Sequence, residues 1–178
     1  MKTSDYIYIA VSTALITICS WITIPTVVPF TLQLFGIFLT LGLLGGKRGT
    51  LAILLYILLG IIGIPVFAGF GSGLGIIVGP LGGFILGFIV LSLTVWLFEK
   101  IIPANCNIPS IISMIIGLLL CYICGLVHFV ISTRSGSNSI SWTAAIVTCI
   151  LPFIIPDLIK LFLATMLCKR LRRHVGVQ

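Results

Sequence analysis

The stretch "PFIIPDLIKLFLATML", residues 152–167, decides how the whole chain is read. It is apolar enough for a membrane span, yet it carries Asp157 and, three positions on, Lys160. The chain owns only three carboxylates in 178 residues, so placing one here needs a reason. Positions i and i+3 share a face of a helix, and the acid and the base can act together there. Ionisable side chains inside a bilayer are costly, and their default reading is a functional site. The plainer alternative is an ion pair that only ties helices to one another. Pro156 suits the first turn of a helix, where its missing N–H costs nothing. A helix restarting there, after a break at Pro152, would set Asp157 beside free backbone N–H groups and a positive dipole end.

Composition supports the membrane reading. Hydrophobic residues make up 60% of the sequence and charged ones 7%, with a mean hydropathy of +1.34. Soluble domains carry about a quarter charged residues, so lipid is the expected solvent and the chain reads as an integral membrane protein. The net charge of +7 would raise nucleic acid as a partner in a soluble protein; its distribution along the chain argues for a membrane surface instead. The opening "MKTSDYIYIAVSTALITICSWITIP" has an apolar run longer than a signal core of about 7–15 residues and no small-x-small cleavage site, so it reads as a retained first span. Six cysteines, at 19, 106, 121, 124, 149 and 168, lie mostly in apolar runs and form no disulfide framework. "CYIC" at 121–124 has redox or metal spacing but no second such pair and no nearby His pair. It reads as two small buried hydrophobes, and neither metal nor cofactor is expected.

Working outward from 152–167, the punctuation gives six spans, roughly 6–24, 32–45, 50–67, 80–98, 109–131 and 143–168. Pro25 and Pro29, "GGKRG", "GFGSGLG", "EKIIPANCNIPS" and "STRSGSNSIS" separate them, leaving one membrane domain over residues 1–178. Cytoplasmic loops carry excess Lys and Arg. One side receives Lys2, Lys47, Arg48, Lys100, Lys169, Arg170, Arg172 and Arg173, and the other receives Arg134 alone. Both termini are therefore expected in the cytoplasm, with 25–31, 68–79 and 132–142 facing outward. The basic tail then anchors to anionic lipid. It lies about 12–15 residues from Asp157, roughly 18–22 Å of helix, so the acid–base pair belongs to the outer part of the membrane.

Four other features bear on function. "AGFGSGLGIIVGPLGGFILGF", 68–88, holds no Lys or Arg, and in "LLGGKRG", 43–49, Arg48 stands where a phosphate loop needs Ser or Thr. Neither is an ATPase site. Gly79, Gly83 and Gly87 instead form a small-xxx-small ridge for helix packing, and 64–79 is either an ordinary loop or a lid over an outward pocket. Ala10 and Ala14 form an AxxxA face on the first span, suited to internal packing or to docking on another membrane protein. Thr31 and Gln33 in "VPFTLQLF" put polar groups at the outward start of the second span, as an interfacial turn or as hydrogen-bonding groups for a polar ligand. His128 and Ser72 lack an orienting acid, which argues against intramembrane hydrolysis and leaves His128 to a helix contact.

Residues 25–88, "PTVVPFTLQLFGIFLTLGLLGGKRGTLAILLYILLGIIGIPVFAGFGSGLGIIVGPLGGFILGF", and the late "LPFIIPDLIKLFLATMLCKR", 151–170, together resemble the BioY family, the biotin-capturing S components of energy-coupling-factor (ECF) transporters. The resemblance covers nearly the whole chain apart from 100–142. It implies a six-helix all-α membrane fold, with both termini cytoplasmic and an outward-facing biotin pocket, in the bacterial cytoplasmic membrane. It also implies a transporter subunit rather than an enzyme, with a transmembrane coupling subunit and two ATPase subunits as partners. Asp157 and Lys160 match the family's biotin-binding acid and lysine, and Ala10 and Ala14 its docking face for the coupling subunit. The sequence departs from the family at Ile155-Pro156, where Pro-Gly is common before the acid, and at Leu81 and Phe84, where Thr and Tyr are common.

Biotin suits these residues on chemical grounds. Its ureido N–H groups can donate to a carboxylate, and a lysine can donate to its ureido carbonyl or pair with its carboxylate. Phe67, Phe70 and Phe84 are candidates for the apolar wall. The alternatives are an S component for another small vitamin, an intramembrane enzyme, or a structural multispan subunit in which Asp157 serves stability alone.

Overall fold

The computed structural model describes residues 3–26, 28–102, 107–134 and 141–175. Lys2, Cys106, positions 135–140 of the fifth connection and the side chains of Arg134, Arg172 and Arg173 lie outside the described residues. The described elements are almost entirely helical. They are α1 (Thr3–Trp21), α2 (Gln33–Ile62), α3 (Leu74–Val78), α4 (Gly82–Ile101), α5 (Asn107–Arg134), α6 (Trp142–Cys149) and α7 (Leu151–Val175). A two-residue pair of strands, β1 (Thr23–Ile24) and β2 (Phe30–Thr31), closes the first connection by antiparallel pairing of Thr23 with Thr31 and Ile24 with Phe30. Among the described residues, four helical stretches are long and apolar enough to cross a membrane: Gln33–Ile62, Gly82–Ile101, Ser110–Thr133 and Trp142–Leu171. Large apolar side chains remain exposed on the outer faces, among them Val11, Leu97, Leu119 and Phe162. In lipid these need no cover.

The expected second and third spans form one helical run that reverses on itself. Gly45 sits inside α2 with φ 77 and ψ 174, outside helical geometry and in a region that glycine adopts without strain. Gln33 and Tyr56 would stand roughly 35 Å apart on a straight helix, yet their side chains are hydrogen-bonded at 2.8 Å. A Cβ on Gly49 would meet Leu41 Cδ2 at 2.7 Å and its Cα at 3.3 Å, so the two limbs touch immediately beyond the turn. The tip is fastened on both sides. Glu99 at the end of α4 accepts from the Gly46 N–H at 2.6 Å, and Arg48 pairs with Asp5 of α1 at 3.1 Å. The second limb stops at Ile62 because Gly63 takes a left-handed C-cap, φ 110, with its N–H on the Gly60 carbonyl. Positions 63–67, expected as helix, therefore belong to the following loop.

That loop is more ordered than a flexible connection, with a 3₁₀ turn at Ala68–Phe70 and then α3. The glycine ridge serves α4 against α5 at two of its three positions. A Cβ on Gly83 would strike His128 Cβ at 2.3 Å, and one on Gly87 would strike Cys121 Sγ at 2.7 Å. Gly79 precedes the helix, and its carbonyl lies 3.0 Å from His128 Nε2, which is where the lone histidine is satisfied. The last expected span needs correction. Its break falls at Ile150 (φ −118, ψ −54), not at Pro152, and Pro156 lies within α7 rather than opening a helix. Pro152 occupies the first turn of α7, where no N–H partner is required. Asp157 is consequently nearly two turns inside α7, beyond the reach of the first-turn dipole.

Candidate functional site

A cavity of about 280 Å³ opens at the end of the bundle opposite the α2 tip. Its lining comes from segments far apart in sequence: the entry to α2 with Thr31 and Gln33, the loop with Phe67, the start of α4 with Phe84, Tyr122 of α5, Cys149 of α6, and Asp157 and Lys160 of α7. Most of that surface is apolar. Two of its aromatic rings fit because glycine faces them: a Cβ on Gly60 would lie 2.1 Å from Phe67 Cζ, and one on Gly125 would lie 2.3 Å from Phe84 Cδ1.

The polar groups gather in two places. On one wall Asp157 accepts at both oxygens, from Lys160 Nζ at 2.7 Å on Oδ1 and from Tyr122 Oη at 2.6 Å on Oδ2. All three residues are buried. The Lys160 ammonium also lies 4.2 Å from the centre of the Phe30 ring, a cation–π contact, and Phe30 stacks on Phe153 at 6.0 Å. On the other wall Gln33 Nε2 donates to Tyr56 Oη at 2.8 Å, and the Tyr56 hydroxyl donates to the Val66 carbonyl at 3.0 Å. An amide offers two donors and an acceptor, so this bond alone does not exhaust Gln33. Thr31 Oγ1 accepts from the Gln33 backbone N–H at 3.3 Å, just ahead of α2. Ser20 at the end of α1 reaches the same Val66 carbonyl.

Of the residues singled out from sequence, Asp157, Lys160, Gln33, Thr31, Phe67 and Phe84 all line this cavity. Phe70 does not. Its backbone adopts φ 61 after Gly69, and the ring turns outward, 61% exposed, to stack on Trp21 at 5.0 Å. Ala10 and Ala14 lie on the exposed face of α1, so internal packing is not what their spacing serves. Sequence reasoning missed Tyr122, Phe30, Phe153 and Tyr56. Tyr122 and Tyr56 each carried a signal, a phenol in an apolar span, where a buried hydroxyl needs a partner.

Comparison with known proteins agrees with this architecture. A sequence model described as the BioY family matches residues 1–177. The biotin transporter BioY of Thermotoga maritima is 37% identical over 164 residues, covering 90% of this chain and 91% of its own length. The probable biotin transporter BioY of Pyrococcus horikoshii is 32% identical over 173 residues, covering 97% and 98%. Among solved structures, the S-component for biotin from an ECF-type ABC transporter superposes with a TM-score of 0.84 at 27% identity, covering 98% of this chain and 95% of that one. On its sequence and its fold, this chain belongs to the BioY family.

Proposed function

We propose that this protein is the biotin-binding S component of an ECF-type uptake transporter, capturing the vitamin in the cavity described above. One observation carries the site: a buried acid, lysine and phenol share one wall of an otherwise apolar chamber. Biotin matches that contrast. Its ureido N–H groups donate to Asp157, Lys160 donates to the ureido carbonyl or pairs with the carboxylate, and Phe67 and Phe84 pack on the ring and chain. Gln33 and Thr31 supply further hydrogen bonds.

The orientation follows from where charge sits. Arg48–Asp5 and Glu99–Gly46 gather the start of α1, the α2 tip and the end of α4 at one end, together with Lys47 and Lys100. Excess positive charge marks the cytoplasmic side, so both termini are cytoplasmic and the cavity opens outward. Counting α1, the two limbs of α2, α4, α5, and α6 with α7 gives six crossings of the bacterial cytoplasmic membrane. The energy source lies on other chains, a transmembrane coupling subunit and two ATPase subunits, with the exposed Ala10/Ala14 face of α1 as the docking surface. Lipid is the remaining partner, and neither nucleic acid nor cofactor takes part.

Equilibrium biotin binding to the detergent-purified protein tests the reading, with thiamine and riboflavin as controls. Tight binding of biotin alone is expected. Preference for either control would return the chain to another vitamin.

A further inference from the structure

We infer that Tyr122 is a positioning residue of this site, fixing the direction in which the Asp157 carboxylate meets its ligand; the inference rests on the biotin reading above. A carboxylate held at a single oxygen still turns, because the torsion that orients it is broad. Lys160 cannot prevent this alone, since it stands three residues away on the same helix and moves with it. Tyr122 comes from α5, and its hydroxyl takes the other oxygen at 2.6 Å. With one donor on each oxygen, from two helices, the carboxylate plane is set.

A carboxylate offers about four lone-pair directions. Two are engaged here, and the others are aimed by the same pair of bonds. The phenol also lines the cavity itself, so the fixed edge of the carboxylate and the ligand share one wall. Tyr122 adds no charge. The acid is neutralised by Lys160 and orientated by a neutral donor, which is the combination a neutral N–H donor on the ligand requires. A ligand entering this frame orders nothing further in the acid, and binding to a preset group is the tighter for it.

A double-mutant cycle on the full chain in detergent distinguishes positioning from packing, because Tyr122→Phe keeps the ring and removes only the hydroxyl. Biotin affinity is expected to fall about tenfold in Tyr122→Phe, the scale for a hydrogen bond to a charged group. In the Asp157→Asn background the same change is expected to cost less than about twofold. Unchanged affinity in Tyr122→Phe, or equal losses in both backgrounds, would overturn the role. Should Asp157→Asn bind too weakly to measure, the cycle is read on the thermal midpoint of the ligand-free proteins. The shift caused by Tyr122→Phe must then shrink in the Asp157→Asn background, and an undiminished shift overturns the role. A wild type that binds no biotin sinks the biotin reading and this role with it. A wild type that binds while Tyr122→Phe equals it sinks the role alone.

Discussion

Two acid–base pairs among the described residues, one toward each end of the bundle, are built differently. At the α2 tip Arg48 meets Asp5 at 3.1 Å with 30% of the arginine side chain accessible. In the cavity Lys160 meets Asp157 at 2.7 Å with 6% and 1% accessible. The first pair joins two helices at an end where Asp5 is buried and the Arg48 guanidinium keeps partial access to water. The second lies within one helix turn and is tied to α5 through the neutral Tyr122 hydroxyl, while its burial carries a desolvation cost that ion pairing alone often fails to repay. In the proposed biotin site both charges come from one helix, whereas the charges at the tip come from two, so the tip pair fastens α1 to α2 and the cavity pair does not need its own attraction to join helices.

The largest effect separating the two is expected from Asp157→Asn. The amide cannot accept from both Tyr122 and Lys160 as the carboxylate does, and it leaves the ammonium buried without a counter-charge. Truncating one member of a buried charge pair costs about 2–5 kcal/mol, so biotin affinity is expected to fall at least about 30-fold by equilibrium binding. Affinity within threefold of wild type would make the cavity pair as structural as the tip pair. A second variant sharpens the point. Asp157→Asn with Lys160→Met removes both charges, and replacing a buried pair by apolar groups is often neutral or stabilising. Its thermal midpoint is expected to recover toward wild type while biotin binding stays lost. Recovery of binding along with stability would show that the ligand does not use the pair.

How much of this was legible in the sequence depends on how far apart the partners lie. Asp157 with Lys160 is a local pattern in an apolar run, and Thr31 with Gln33 is a local polar break, so residue spacing alone found them. The reversal at Gly45 was visible for the same reason, since "GGKRG" interrupts the span where the limbs turn. Tyr122 stands 35 positions from the acid it touches, and Phe30 lies farther still from Lys160, so only tertiary packing brings them in. Phe70 failed in the opposite sense: nothing in its neighbours announced that a left-handed backbone turns the ring onto Trp21. The place of Pro156 within α7 was equally hidden, because proline is compatible with a first turn and, when neighbours hold the helix, with its interior.

A smaller effect is expected from Phe30→Leu, which keeps an apolar side chain at that position and removes the ring from Lys160. A cation–π contact contributes about 0.5–2 kcal/mol, depending on desolvation. Biotin affinity is therefore expected to fall roughly 3- to 30-fold, measured against an unchanged thermal midpoint of the ligand-free protein. No loss of affinity would mean that the ammonium is held by Asp157 alone.

The smallest effect is expected at the other end. Asp5→Asn keeps a hydrogen-bonding group opposite Arg48, and the guanidinium retains access to water, so no buried charge is stranded. Pairs with one solvated member contribute about 0–1 kcal/mol, which corresponds to a thermal shift of at most a few degrees for a chain of this size. Biotin affinity should stay within twofold of wild type. The two limbs of α2 nevertheless run from this tip to Gln33 and Tyr56 at the cavity wall, so they offer a route by which the ends could communicate. A loss of biotin affinity beyond threefold in Asp5→Asn would show that they do. The tip pair would then be part of how the cavity is held in shape, and the division between a structural end and a binding end would fail.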